Sequence, residues 1–223
     1  IVVGAPEEGQ RTWELPKALL SKHSAFFAAM VKHDSDNEKL EIPTIAPRDF
    51  QNFVYFMHSS IYSLNDQVEE YRNIRAHTAA CVIGIRLEAK TYFNCALRKL
   101  YLIFHTLAKA QFSNARLSPI RASDIEYVCE QTATAPKDSI TALKLKQFFF
   151  DALAAHWTQS DALFVGYLDS PNGTSNRNDA PFDTTTWSHV YNTYPDFRTY
   201  MANSAAARDA SRVAFLRPEN EYL

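Results

Sequence analysis

Residues 17–31 read KALLSKHSAFFAAMV, and the chain is organised around this stretch. Leu19, Leu20, His23, Phe26, Phe27, Met30 and Val31 recur at i, i+1, i+4, i+7, i+8, i+11 and i+12, the spacing of one face of an amphipathic helix. Pro16 stands immediately before it, where a missing N–H costs a helix little. The aromatic rings and the methionine on this stripe predict an anchor for a core.

Upstream, the β-branched Ile1-Val2-Val3 and the Gly-, Pro- and Glu-rich residues 4–10 lead into Thr12-Trp13-Glu14-Leu15, which alternates about Trp13 and Leu15. This predicts a short hairpin feeding the first helix. Downstream, residues 33–39 (HDSDNEK) read as a charged turn, and Leu40-Glu41-Ile42 as a short strand closed by Pro43. Pro47 opens a second helix with Phe50, Phe53, Val54 and Met57 facing inward, and Ser59-Ser60 ends it. Residues 61–64 form a brief extended piece.

Asn65-Asp66 then precede a helical run whose acidic first turn (Asp66, Glu69, Glu70) suits a helix N-terminus. Its apolar part, residues 74–87, carries His77, Cys81, Val82, Ile83 and Ile85. Gly84 inside it costs a helix about 1 kcal/mol and predicts close packing. Residues 91–110 follow as another helix, with Phe93, Leu97, Leu100, Phe104 and Leu107 on one face.

The second half is mostly helical. Ser123 with Glu126 predicts a capping box, and Pro136 breaks the helix that follows. Residues 139–157 form another helix with Leu143, Phe148, Phe149, Phe150, Leu153 and Trp157 on a wide apolar face. Residues 169–186 (DSPNGTSNRNDAPFDTTT) are the clearest loop, in which the sequon at Asn172 reads as a turn. A last helix over 187–207 breaks near Pro195, with Trp187, Val190, Tyr191 and Phe197 available for packing.

The 223 residues suffice for one large domain or for a domain with an appended one. Hydrophobic residues at 46% and charged residues at 22% are ordinary for a globular chain. A net charge of −2 gives no electrostatic reason to expect nucleic acid or an anionic membrane as partner. No apolar run reaches the roughly 18–20 residues needed to cross a bilayer. Cys81, Cys95 and Cys129 are far apart and in no CxxC or Cys/His cluster, which predicts reduced thiols in an intracellular protein of cytoplasm or nucleus. The chain opens on Ile1 rather than Met, as a fragment would.

The order of hairpin, helix, short strand, helix, extended piece and paired helices resembles the BTB/POZ domain. That family opens on an aromatic residue, an apolar-His-Lys step, two apolar residues and Ser-x-x-Phe. Trp13, Leu15, Lys17, Leu19, Leu20, Ser24 and Phe27 occupy those places here, with Pro16 where His is usual. Leu40-Glu41-Ile42, then Pro47 and Phe50, look like the family's strand and Pro-x-x-Phe segment; Leu19, Phe27 and Phe50 form the core of the motif. Met57-His58-Ser59-Ser60 is a loose form of its apolar-Tyr-Thr-Gly, and Cys81 replaces an aromatic in the later helix. Leu117-Ser118-Pro119, Ile125-Glu126-Tyr127-Val128 and Thr186-Trp187-Ser188 resemble the tails of many fungal BTB proteins.

The resemblance implies an α+β fold: a BTB/POZ-like helical cluster with a three- to four-stranded sheet over residues 1–110, then a helical extension over 111–223. It implies a non-catalytic protein–protein interaction module that self-associates, with a homodimer as the expected form, or recruits protein partners. The dimer surface would comprise Ile1, Val2, Val3, Trp13, Leu15, Lys17, Leu20 and Ser24. The alternatives are an adaptor on the cullin scaffold of a ubiquitin ligase, a purely structural oligomer subunit, and an enzyme of unrecognised type. The adaptor motif is incomplete, because Asp34-Ser35-Asp36 lacks its apolar member.

Chemistry-bearing patterns are sparse. His23 and His77 lie on apolar faces and read as core residues; His156 follows Asp151 at i+5, off the spacing that puts two residues on one helix face. Neither GxSxG, GxGxxG nor GxxxxGK occurs, and five glycines leave little material for phosphate loops. Asp34, Asp36 and Glu38 lack the Gly and Glu of an EF-hand and read as a solvated acidic turn, a candidate partner loop. Lys90, Arg98 and Lys99 flank Tyr92, Phe93 and Tyr101, but helical spacing turns those rings toward a core rather than toward bases. No cofactor or metal is expected.

The helical stripe makes a first prediction. Phe27→Ala should lower stability by roughly 3–5 kcal/mol in a urea melt, as truncation of a buried Phe does; an unchanged melt would place Phe27 outside the core.

Overall fold

In the computed structural model the β-branched pair Val2–Val3 forms β1, the central strand of a small sheet ordered β2-β1-β3. The structure describes residues 1–33, 40–64, 70–110, 118–135, 139–169 and 184–223. β2 (Arg11–Thr12) pairs antiparallel with β1, and β3 (Glu41–Ile42) pairs parallel with it, Val2 opposite Thr12 and Glu41. The turn between β1 and β2 begins at Gly4, whose φ of 99° disfavours side chains and whose missing Cβ leaves room for Pro47 Cγ, 2.8 Å from where it would stand. β2 ends at Thr12, but Trp13 continues its pairing with β1 through backbone bonds to Ile1, and Leu15 lies beyond the ladder.

The expected single helix over 17–31 is two helices, α1 (Lys17–His23) and α2 (Ala25–His33). Ser24 between them is extended, with φ −145° and ψ 122°. Its N–H donates to Leu20 O (3.0 Å) and closes α1; its Oγ accepts from Phe27 N (3.1 Å) and caps α2. The same hydroxyl donates to Leu87 O at 2.5 Å. Serine gains more from these bonds than from a helix interior, where its hydroxyl competes with the backbone. The break narrows the apolar stripe: Leu20 and Phe27 are buried, whereas Leu19, His23, Phe26, Met30 and Val31 are only partly covered.

α3 (Pro47–Ser59) buries Phe50, Phe53, Val54 and Met57 as its spacing predicts, and Phe56 as well. Ser60 ends it in the left-handed region at φ 57°. The sheet has three strands among the described residues, and residues 61–64 join none of them. α4 (Glu70–Arg86) and α5 (Lys90–Lys109) are joined by a tight turn with Glu88 at φ 49°. Ala89 N–H bonds Gly84 O (2.8 Å) and Glu88 N–H bonds Ile85 O (3.2 Å), the pair of bonds that defines a Schellman end. The chain divides into two units, Ile1–Lys99 and Leu100–Leu223, with the boundary inside α5.

In the second unit α6 (Ala122–Ala133) starts earlier than the Ser123/Glu126 box implied. Asp124 closes it, its carboxylate accepting from Arg121 N (3.0 Å), because Asp124 and not Glu126 stands three residues after the N-cap. α7 (Ile140–His156) is capped by Ser139, whose Oγ accepts from Ala142 N (3.3 Å). It buries Phe148, Phe149, Phe150 and Leu153, but Leu143 is 57% exposed and lies off that face. α8 (Gln159–Phe164) carries a Thr158/Asp161 capping box. α9 (Trp187–Thr193) and α10 (Pro195–Ser204) break where Pro195 predicts, burying Trp187, Val190 and Phe197. The 3-10 turns Asp209–Phe215 and Glu219–Glu221 follow, where no element was expected.

Gly84 lies where α4 and α5 come closest: a Cβ there would sit 2.7 Å from Phe93 Cβ and 2.9 Å from its Cα. Backbone cannot rotate away as a flexible side chain can. Gly84→Ala should therefore lose about 1–3 kcal/mol by overpacking, despite the roughly 1 kcal/mol that alanine gains as a helix former. Urea melts of the two proteins give the difference; equal or greater stability in the variant would show that the helices separate freely.

Candidate functional site

The residues expected at a dimer surface fall into two sets. Val2, Val3, Leu20 and Ser24 are buried within the first unit. Ile1, Trp13 and Leu15 are partly exposed and Lys17 is exposed. Ile1 and Trp13 are brought together by reciprocal backbone bonds, the Ile1 nitrogen donating to Trp13 O (2.7 Å) and Trp13 N to Ile1 O (2.8 Å). The Trp13 ring meets Phe50 edge-on at 5.0 Å, and the Arg11 guanidinium lies 5.9 Å from its centre. This surface therefore joins the exposed edge strand β2, a half-covered Trp13 and Leu15, and the Lys17 charge at the start of α1. Asp34, Asp36 and Glu38 lie outside the described residues, as do Asp66, Glu69, Leu117, Pro136 and Asn172.

Beneath that surface is an aromatic cluster. Tyr92 meets Phe53 at 5.0 Å, Phe56 at 5.1 Å and Tyr62 at 5.4 Å. The Tyr62 hydroxyl and His77 Nδ1 are hydrogen-bonded at 2.7 Å, which fastens the segment after α3 to α4. Burial, reinforced by the Lys99 charge, pushes His77 down to about 4. Burial likewise raises the hydroxyls of Tyr62 and Tyr92 and the thiol of Cys81 far above their ordinary ranges. At neutral pH the cluster holds a neutral imidazole, protonated phenols and a protonated thiol, without an ionised nucleophile. Tyr92 and Phe93 are buried, so the basic residues beside them border no exposed stacking platform.

The second unit has a polar centre that the helical pattern did not reveal. Asp151 on α7 is fully buried, and its carboxylate collects four donors. These are the Tyr222 hydroxyl (2.7 Å), Gln147 Nε2 (2.6 Å), Arg217 Nε (3.2 Å) and the Tyr200 hydroxyl. Burial, with the Asp151 carboxylate as acceptor, raises both phenols well above the tyrosine range. His156 is elsewhere, its Nδ1 3.0 Å from Leu107 O, with burial lowering its pKa. Arg212, 1% exposed, donates to Trp157 O (2.6 Å) and Ser204 O (2.8 Å), carbonyls at the ends of α7 and α10. An Asp inside the apolar run FFFDALAA was the available signal, since a buried carboxylate needs partners.

Among the described residues no group of three or more His, Cys, Asp or Glu is placed to hold a metal ion. No helix among them is long and apolar enough to cross a membrane. The three cysteines are free thiols.

The depressed His77 makes stability depend on pH. Unfolded histidine binds its proton near 6.5, whereas folded His77 binds it only near 4, so the unfolded state holds more protons between these values. Stability should fall as pH drops from about 6.5 towards 4, and His77→Gln should flatten part of that slope in urea melts at pH 7, 6 and 5. Identical slopes in the two proteins would remove His77 as a cause.

Comparison with known proteins adds one match. No curated protein and no solved structure matches the chain. Residues 2–77, all within the first unit, match the family model of the BTB/POZ domain, and the small mixed sheet and helices of that region are consistent with its fold.

Proposed function

We propose that the chain is a non-catalytic protein–protein interaction module whose first unit pairs with a second copy. The observation that carries this reading is the match of residues 2–77 to the BTB/POZ domain, a family of interaction domains. The surface around β2 and the start of α1 supports it. Arg11 and Thr12 are exposed on an edge strand, and an edge strand offers unpaired backbone groups to another chain. Trp13 and Leu15 supply partly exposed apolar surface beside it, and Lys17 supplies charge at its rim. The buried Val2, Val3, Leu20 and Ser24 then act by shaping this surface rather than by touching a partner. The second unit serves as a platform for further partners or as a brace.

Light-scattering mass during gel filtration tests the proposal, alone and with a cullin N-terminal domain added. The expected mass is twice 25.4 kDa, returning to a single chain in Leu15→Asp/Lys17→Glu with unchanged helical circular dichroism. A monomer that co-elutes with the cullin domain would replace self-association by the adaptor reading. A monomer that ignores the cullin domain would overturn both.

A further inference from the structure

Residues 209–223 pass over the helical core of the second unit with few buried side chains: Arg212 and Tyr222 are the two that are fully covered. The first end is held at α8, where Gln159 N donates to Asp209 Oδ1 (2.6 Å), and by Arg212 on the carbonyls of Trp157 and Ser204. The far end is held by Tyr222. Its ring lies 4.7 Å from Phe148, and its hydroxyl donates to Asp151 Oδ2 while accepting from Arg217 N (3.0 Å). Arg217, half-exposed, closes the same carboxylate from the solvent side at 3.2 Å. Lys144 Nζ adds a bond to Leu223 O (2.8 Å).

We propose that residues 209–223 are a strap latched by Tyr222 in a Phe148–Asp151 socket on α7, and that the strap opens as a unit separate from the helices beneath it. Three features point to this. The strap's own structure is short 3-10 turns, whose bonds, such as Leu216 N to Val213 O (3.3 Å) and Tyr222 N to Glu219 O (3.1 Å), are local. It lies along α7 and α10, with a Phe215–Tyr200 ring contact at 6.5 Å, but the side chains it buries fully are Arg212 and Tyr222, and segments with little buried apolar surface open at low free energy. The socket is made for one side chain, with an aromatic wall for the ring and a carboxylate for the hydroxyl. When the strap leaves it takes both Tyr222 and Arg217 from Asp151; the carboxylate keeps donors from Tyr200 and Gln147, and the emptied socket opens its other side to water.

Hydrogen exchange of the full chain, read by mass spectrometry, tests the strap. Peptides from 209–223 are expected to exchange faster than peptides from α7. Tyr222→Phe, which keeps the ring and removes the hydroxyl, should speed the strap about ten- to a hundredfold, the effect of one hydrogen bond to a charged group. The α7 peptides should keep their rate. Exchange of strap and α7 together, or a strap rate unmoved by Tyr222→Phe, would overturn the proposal. If Tyr222→Phe fails to fold, Arg217→Ala removes the carboxylate's solvent-side partner and is read in the same way.

Discussion

The first unit depends on the hydroxyl of Ser24. Each polar atom of that residue has a partner: its N–H ends α1, its carbonyl accepts from Ala28 N, and its Oγ both caps α2 and donates to Leu87 O. Leu87 follows the end of α4, where helix carbonyls lack intrahelical donors. One buried residue thus completes three helix ends, α1 through its backbone N–H and α2 and α4 through its hydroxyl, and ties the α1–α2 pair to the α4–α5 turn. Ala25 N adds a second link there, donating to Glu88 O at 3.3 Å. With the break at residue 24, Leu20 and Phe27 both reach the core, and α1 packs on α2 and α3 with Lys17 exposed at its start.

The second unit is built on aromatic packing around α7. Phe148 meets Phe104 at 5.0 Å and Tyr222 at 4.7 Å, Phe150 meets Phe197 at 5.3 Å, and Trp157 meets Trp187 at 4.6 Å. Edge-on and tilted ring pairs of this kind add about 0.5–1.5 kcal/mol each beyond area burial. Asp151 and Arg212 sit inside that core with their bonding capacity directed at hydroxyls, amides and helix-end carbonyls. Buried charges of this type specify which segment lies where, since an apolar core alone accepts several packings. The two residues accordingly fix the course of 209–223, a segment with little apolar surface to guide it.

Several features of the fold could be read from residue order. The inward face of α3, the close approach at Gly84 and the break at Pro195 each follow from a local rule: helical spacing, the missing Cβ, the missing N–H. The family pattern in Trp13, Leu15, Leu19, Leu20, Ser24 and Phe27 lies within the matched region 2–77. Ser24 was legible as a motif member yet not as a helix break, because the competitor that draws it out of the helix is a carbonyl 63 residues away. The start of α6 was misplaced for a similar reason: both Ser123/Glu126 and Arg121/Asp124 satisfy the three-residue spacing, and burial of Asp124 selects between them.

The sequence by itself determined the main helical segments, the inward face of α3 and where proline and Gly84 punctuate the chain, since these depend on neighbours within a few residues. It did not determine the break at Ser24, α8 or the 3-10 turns of 209–221. Tertiary structure alone decided which members of the 17–31 stripe are buried, that Val2 and Val3 lie inside the sheet, and that Asp151 answers to Tyr200, Arg217 and Tyr222 rather than to His156. Those outcomes depend on contacts between residues dozens of positions apart. Periodicity says that a side chain needs a partner; the folded chain supplies the partner.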